Sequence, residues 1–443
     1  MPVKIGMVSL GCSKNLVDSE RMLYKFRQKG YQLVTEPGLS DIAVVNTCGF
    51  IQSAKEEAIE TILELAKLKE EGRIKKIIIT GCLSERYQEE MAEQFPEVDA
   101  VVGIGNQEDI IDVIDSVLED KRIVAFDSKD RLSITGDRII STLPFFAYLK
   151  IAEGCDNCCT YCAIPEIRGR FRSAPMEDVL KEAQWLADNG VTELIVIAQD
   201  TTRYGEDLYG KSALPELLQK LCKIENLKWI RVLYCYPERI TDELLDVMAN
   251  EEKIVKYLDL PIQHCNAEIL HNMNRVGDKE FLTSLINKIR NKIPDITLRT
   301  TLITGFPGET NEQFEELAEF VKETRFDKLG CFAYSQEEGT PAAGFDGQLD
   351  EEIKNHRAEI IMEQQQLISE QNNEKNLDKV FEAVVEGFDK YAECYFGRCK
   401  SDAPDIDGKA FFTSENPLQI GQYVNIKIID TLDYDLIGEV ADS

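Results

Sequence analysis

The chain has 443 residues, 43% of them hydrophobic, with 50 basic and 80 acidic side chains and a net charge of −30. That length and apolar content suggest two to four domains with buried cores and exclude a disordered chain. A surface this acidic repels nucleic-acid backbone and suits basic partners. The opening MPVKIGMVSLGC has no basic stretch followed by a long apolar one, and no apolar run is long enough for a bilayer, so the expectation is a soluble, cytoplasmic protein. In that compartment thirteen cysteines point to metal or redox chemistry and not to disulfides.

Over residues 1–120, short apolar runs (KIGMVSL, DIAVVNT, KKIIITG, AVVGIG) alternate with helical patterns such as SAKEEAIETILELAKLKEE. This alternation predicts a doubly wound α/β domain with a parallel sheet. A charged, turn-rich stretch, 121–140, reads as an irregular link. From 141 to 375 the alternation resumes, with strand candidates FFAYLKIA, ELIVIA, WIRVLY, YLDLP, TLRTTLI and LGCFAY. Six βα units fall short of the eight of a complete barrel, so a partial (β/α)6 barrel is expected. The polar helical stretch 351–376 should pack on that barrel and lead out of it. The last segment, 376–443, has about five short strands between Gly, Pro and Asp turns, the pattern of a small OB-like β-barrel.

The stretch GCDNCCTYC, residues 154–162, carries four cysteines. Cys155, Cys158, Cys159 and Cys162 could together close around one zinc, although the adjacent pair Cys158–Cys159 would strain a tetrahedron. Alternatively Cys155, Cys159 and Cys162 act alone as C-x3-C-x2-C and hold a [4Fe-4S] cluster with one open iron, and Cys158 is spare. The motif follows the first barrel strand, and barrels gather their chemistry at the C-terminal ends of strands. Upstream, Cys12, Cys48 and Cys82 each end a predicted strand (VSLGC, VVNTC, IITGC). Such ends line one edge of a parallel sheet, where three thiols can converge; the plainer alternative is three buried structural cysteines. The remaining cysteines show no convergent spacing.

The C-x3-C-x2-C loop on a partial barrel resembles the radical SAM superfamily. Three upstream cysteines, a barrel and a small β-barrel in that order resemble the methylthiotransferases over essentially the whole chain. The resemblance implies two [4Fe-4S] clusters, one on Cys12, Cys48 and Cys82 and one on Cys155, Cys159 and Cys162. It also implies S-adenosyl-L-methionine as cofactor, an external electron donor, and a C-terminal TRAM domain. No side chain is expected as a catalytic acid, base or nucleophile, because the radical comes from the cofactor. Tyr161, before the last cysteine, fits the family pattern, and Gln199 and Asp200 in IAQDTTRYG belong to a loop at the active end. Gly305 in GFPGET could let backbone approach the cofactor, or the segment is a plain βα turn with Thr310 capping a helix.

Within the family, LGCSKNLVDSE, NTCGFIQSAKEEAIE, YLDLPIQH with Gln263 and His264, and SDAPDIDG resemble the branch that modifies an aspartate β-carbon. Its target lies in the small-subunit ribosomal protein conventionally numbered twelve. The other branch methylthiolates adenosine in tRNA and is the alternative. Residues 376–443 hold 14 acidic and six basic side chains, a net of −8. That charge suits a basic ribosomal protein, so direct tRNA binding is not expected. The SDAPDIDG loop, with Asp402, Asp405 and Asp407, is expected on the surface that recruits it.

Overall fold

Six parallel strands open the chain: β1 (Lys4–Ser9), β2 (Gln32–Val34), β3 (Ile42–Thr47), β4 (Lys76–Gly81), β5 (Ala100–Val102) and β6 (Ile123–Ala125). In the computed structural model, which describes residues 2–441, they lie in the order β2-β1-β3-β4-β5-β6. Side chains alternate across this sheet. Ala43, Val45, Ile77 and Ile79 pack on one face against Ile62 and Leu65 of the helix Gln52–Glu70. Val44 and Ile78 pack on the other against Met22 and Phe26 of the helix Ser13–Lys29. Every residue of β3 is buried, as expected of a central parallel strand covered on both faces. The edge strand β6 falls in the stretch read as an irregular link, because three residues beside charged neighbours leave no periodic signal.

The next strands are β7 (Phe146–Lys150), β8 (Ala152–Glu153), β9 (Arg172–Ser173), β10 (Glu193–Ile197), β11 (Trp229–Val232), β12 (Ile254–Asp259), β13 (Thr297–Thr304) and β14 (Lys328–Ala333). Six of them form one parallel sheet in the order β14-β13-β12-β11-β10-β7, the open (β/α)6 barrel that the alternation predicts. The remaining two, β8 and β9, make a short antiparallel ladder. The helix Glu351–Glu374 buries Ile361 and Ile368 in the core outside this sheet.

Five strands, β15 (Val380–Asp389), β16 (Cys394–Cys399), β17 (Ala410–Thr413), β18 (Tyr423–Thr431) and β19 (Leu436–Val440), close into a small barrel. Its Val384 and Ala403 join Phe146, Ile195, Trp229 and Tyr257 in one apolar cluster. It therefore packs against the N-terminal end of the larger barrel, where first residues of strands meet it. Glu193 pairs with Arg398 at 2.7 Å, and Lys328 with Asp402 at 2.7 Å. The Trp229 indole N–H donates to Glu382.

This packing corrects the expectation for SDAPDIDG. The Tyr257 hydroxyl donates to Asp407 at 2.6 Å, and Arg299 lies 3.6 Å from it. Asp402 is 4% exposed. Of the three aspartates only Asp405 faces solvent. The loop is a docking element inside the chain: its carboxylates are matched to cations of the large barrel, and composition alone does not distinguish a solvated acid from a paired one.

Candidate active site

The upstream cysteines stand where the strand-end reading places them. Cys12 precedes the helix Ser13–Lys29 after β1, Cys48 follows β3, and Cys82 begins the helix Cys82–Gln94 after β4. Because β1, β3 and β4 are adjacent and parallel, all three lie at one sheet edge. Cys48 and Cys82 are buried and Cys12 is exposed. Two glycines let the loops close on one another. Gly11 has φ +85°, and a Cβ on it would lie 2.6 Å from Cys48 Cβ. A Cβ on Gly49 would lie 2.7 Å from Leu83 Cα, beside Cys82.

The second set occupies the loop after β8. Cys155 and Cys159 are buried and Cys162 half-buried, whereas Cys158 is exposed with φ +50°. The Cys155 N–H donates to Gly169 C=O at 3.1 Å, and that of Cys162 to Cys159 C=O at 3.0 Å. The Cys158 carbonyl instead accepts from the Asn274 side chain. Three sulfurs thus stay inside the loop and the fourth turns out.

The surroundings of these sulfurs fit an iron–sulfur cluster. Backbone N–H groups of Phe50 and Gly49 point at Cys48, that of Asn157 at Cys155 and that of Ile164 at Cys162. The Tyr236 hydroxyl lies 3.6 Å from Cys159 Sγ, and the Arg168 guanidinium donates to Cys82 Sγ at 3.3 Å. Hydrogen bonds to cluster sulfurs are a main lever on such cofactors. Burial pushes the Cys82 thiol up to about 12, against the pull of Arg168 and with the help of Cys12 and Cys48. Burial likewise pushes Cys155 up to about 11. Iron binding would therefore displace their protons. Among the described residues, no three His, Cys, Asp or Glu side chains close tightly around a single ion.

Arg168 ties the two sets together. It ends the helix Ile164–Arg168 that follows Cys162, and the same helix brings Ala163 and Ile167 against Cys82. Its guanidinium meets Asp18 at 2.6 Å, Asn15 at 3.0 Å and Glu153 at 3.3 Å. Lys150, fully buried, pairs with the same Asp18 and Glu153. Burial works against the Glu153 carboxylate, but Lys150 and Arg168 outweigh it and hold its carboxyl below the usual range. Two cations and two carboxylates, drawn from both halves of the molecule, therefore balance in a dry interface. None of these residues announces itself in the sequence, because partners up to 153 positions apart leave no local pattern.

Between the loop after Cys48 and the mouth of the large barrel lies a cavity of about 790 Å³. One wall is the loop after Cys48, with Phe50 and Ser53; the other is the barrel mouth, with Tyr161, Gln263, Thr301 and Phe332. Glu337 clamps the walls together, taking Lys55 at 2.9 Å and Arg86 at 2.8 Å from the N-terminal layer.

Other sequence-predicted residues divide by location. Gln199 stands beside the second cysteine loop, its amide N–H2 bonded to Glu153 at 2.7 Å and its Oε1 buried without a protein partner. Asp200 holds Asn157 and caps the turn at Thr202. Gly305, with φ +70°, gives its N–H to Glu309, and a Cβ there would strike Lys354. Thr310 forms a capping box with Gln313, the plainer of its two readings. His264 is buried, with Nδ1 accepting from the Asn266 N–H and Nε2 3.6 Å from Glu309.

An open six-stranded barrel with three inward sulfurs on its first loop defines a radical SAM fold. Residues 149–321 match the radical SAM superfamily, 4–103 the uncharacterized protein family UPF0004, and 379–441 the TRAM domain. Among solved structures, the radical S-adenosylmethionine methyltransferase TsrM from Kitasatospora setae is similar with a TM-score of 0.56. The two share 12% identity, with 77% of each chain covered. The cobalamin-dependent S-adenosylmethionine radical enzyme OxsB gives 0.53 at 13% identity, over 82% of this chain and 56% of the other. At these identities the likeness is one of fold. In sequence, the chain is 47% identical to the ribosomal protein uS12 methylthiotransferase RimO of Acetivibrio thermocellus over 99% of both chains. It is 48% identical to that of Clostridioides difficile, again over 99% of both, and 49% identical to that of Lachnoclostridium phytofermentans, over 98% of this chain and 99% of the other. The chain belongs to the RimO family of radical SAM methylthiotransferases.

Proposed function

We propose that this chain attaches a methylthio group to the β-carbon of an aspartate in ribosomal protein uS12, using two [4Fe-4S] clusters and S-adenosyl-L-methionine. The observation that carries this reading is the cavity walled on one side by the Cys48 loop and on the other by Tyr161 of the C-x3-C-x2-C loop. A substrate there would sit between the loop that carries Cys48 and the loop that carries Cys155, Cys159 and Cys162. Cys12, Cys48 and Cys82 would hold one cluster, Cys155, Cys159 and Cys162 the other, and Tyr161, Gln199 and Gly305 would contact S-adenosyl-L-methionine. When bound, these groups supply the one-electron chemistry that opens an unactivated C–H bond, which acid–base catalysis cannot readily do.

The protein's own part is placement. Arg168 and Lys150 hold the cysteine loops in register through Asp18 and Glu153. The Glu337 clamp ties the two cavity walls together. The net charge of −30 favours a basic ribosomal protein over a nucleic-acid backbone. No helix among the described residues is long and apolar enough to cross a membrane; a ribosomal substrate would be met in the cytoplasm, where an external electron donor would be needed. Mass spectrometry of uS12 and of tRNA from cells with and without the gene tests the reading. A methylthio mass shift on the uS12 aspartate that vanishes with the gene is the expected result. A shift on tRNA adenosine alone would replace this reading with the tRNA one.

A further inference from the structure

We infer that Lys14 receives the side-chain carboxylate of the target aspartate and so selects the substrate. The inference rests on the reading that the substrate is an aspartate of uS12. Lys14 is 7% exposed. Among the described residues no carboxylate pairs with its ammonium and no oxygen accepts from it; it meets instead the ring of Tyr234, whose centroid lies 2.9 Å from Nζ. The other cations at this end of the large barrel have acceptors inside the chain. Arg299 has Asp259 at 2.9 Å, and Arg275 has the Pro261 carbonyl at 2.7 Å. Lys150 and Arg168 share Asp18 and Glu153. Those two cations and two acids balance, so Lys14 is a cation in excess. A charge taken out of water without a partner is costly, and an anion brought by the substrate would match it.

The place of this lysine suits the role. Lys14 follows Cys12 by two residues and reaches Tyr234; Tyr236, two residues further on, puts its hydroxyl 3.6 Å from Cys159 Sγ. The side chain therefore spans from a loop of one cysteine set to a loop that touches the other. Contacts also lead to it from the cavity. Thr301, in the cavity lining, lies 3.5 Å from Arg299, Arg299 pairs with Asp259, and Asp259 accepts from the Tyr234 N–H at 2.9 Å. Tyr234 is a fixed platform. Its φ of +62° is rare for a bulky residue, and both its backbone groups are held, the N–H by Asp259 and the C=O by the Thr201 N–H at 3.0 Å. Strained residues over-determined in this way cluster at functional sites. A ring face engages one side of an ammonium and leaves N–H donors on the other. The first turn of the helix Ser13–Lys29 carries no acid, and Ser13 Oγ is buried there without a partner. That turn thus offers a carboxylate an ammonium, a hydroxyl and the positive end of a helix. The upstream thiols have a cation of their own, since Arg168 donates to Cys82 Sγ at 3.3 Å. The target β-carbon is bonded to the carboxylate carbon, so anchoring the oxygens on Lys14 fixes that carbon near both loops.

The experiment compares Lys14→Met and Lys14→Gln with the parent chain, all reconstituted with iron and sulfide. Binding is measured for labelled uS12 and for uS12 whose target aspartate is changed to asparagine, together with KM for uS12 and for S-adenosyl-L-methionine, iron content and melting temperature. The parent should bind native uS12 more tightly than the asparagine form. Lys14→Met keeps an unbranched apolar stem and removes the charge. It should raise KM for uS12 by about 10- to 100-fold, as a hydrogen bond between charged groups is lost, and should bind the two forms of uS12 alike. Iron content should stay at the parent value, and the melting temperature should hold or rise because an unmatched buried charge has gone. Lys14→Gln keeps a donor without the charge, so its KM should fall between the two. If Lys14→Met does not fold, Lys14→Gln decides; if neither folds, Lys14 is a structural cation and the proposal is overturned. The same preference between the two forms of uS12, or the same lack of one, in parent and variant also overturns it. So does a loss confined to iron content or to KM for S-adenosyl-L-methionine. If the parent chain leaves uS12 unmodified, it is the underlying reading that fails, and the variants are not needed to show it.

Discussion

The two cysteine sets, each proposed to hold a [4Fe-4S] cluster, are assembled by opposite means. Cys155, Cys159 and Cys162 lie on one loop, and backbone bonds within and beside that loop place them. Cys12, Cys48 and Cys82 come from three loops and meet only because β1, β3 and β4 lie side by side. The first set depends on local chain and the second on a folded sheet. Changes far from any cysteine should therefore damage the dispersed set and spare the compact one.

The largest effect that would separate them is loss of a whole cluster. Replacing Cys12, Cys48 and Cys82 by alanine should remove about four of about eight irons per chain. S-adenosylmethionine cleavage should persist while sulfur attachment stops, as read by iron analysis, 5′-deoxyadenosine formation and the mass of uS12. Unchanged iron would break the assignment of the dispersed set. A sharper cut leaves every thiol in place. Gly11→Val puts side-chain carbons where Cys48 Cβ and Sγ already lie, an overpacking that costs about 1–3 kcal/mol. It should lower iron on the dispersed set in reconstituted protein and leave cleavage near its parental rate.

Arg168→Gln tests what the two sets share. The variant keeps Asp18 and Glu153 buried with Lys150 as their one remaining cation. Breaking a buried pair typically costs about 3–5 kcal/mol, so the melting temperature should fall clearly, and both cysteine sites should load less iron. A loss limited to the dispersed set would show that Arg168 serves Cys82 alone. The smallest effect belongs to Cys158→Ala, since that side chain is exposed and its backbone turns away from the other three. Iron content and cleavage should both match the parent. Loss of cleavage there would reinstate a four-thiol reading of GCDNCCTYC.

The compact set was legible because its spacing is written in nine consecutive letters. The dispersed set was legible at one remove: each cysteine closes an apolar run, and parallel strands bring their ends to one edge. The strands of the partial barrel followed from period and alternation, and β6 escaped because three residues carry neither. What stayed hidden shares one physical cause. Arg168, Lys150, Asp18 and Glu153 find each other across the interface of two layers, and the Glu337 clamp joins loops more than 200 positions apart. Asp402 and Asp407 were misread for the same reason. Their partners, Lys328, Tyr257 and Arg299, lie in another part of the chain, so a count of charges could only suggest solvent.

The seal at the foot of the large barrel also bears on how freely this protein can be taken apart. A truncation ending at Glu374 would strip Glu193 of Arg398 and Lys328 of Asp402, and would open Trp229 and Tyr257 to water. The barrel that carries the C-x3-C-x2-C loop is thus not a detachable cassette, although its sequence boundaries look clean. A graft that exchanges the C-terminal barrel for one from another protein inherits the same constraint. It must bring an acid to Lys328 and a second cation to Glu193, which otherwise keeps Arg231 alone, or the recipient strands must be rewritten to match. Swaps made at the linker alone exchange a surface and lose a floor.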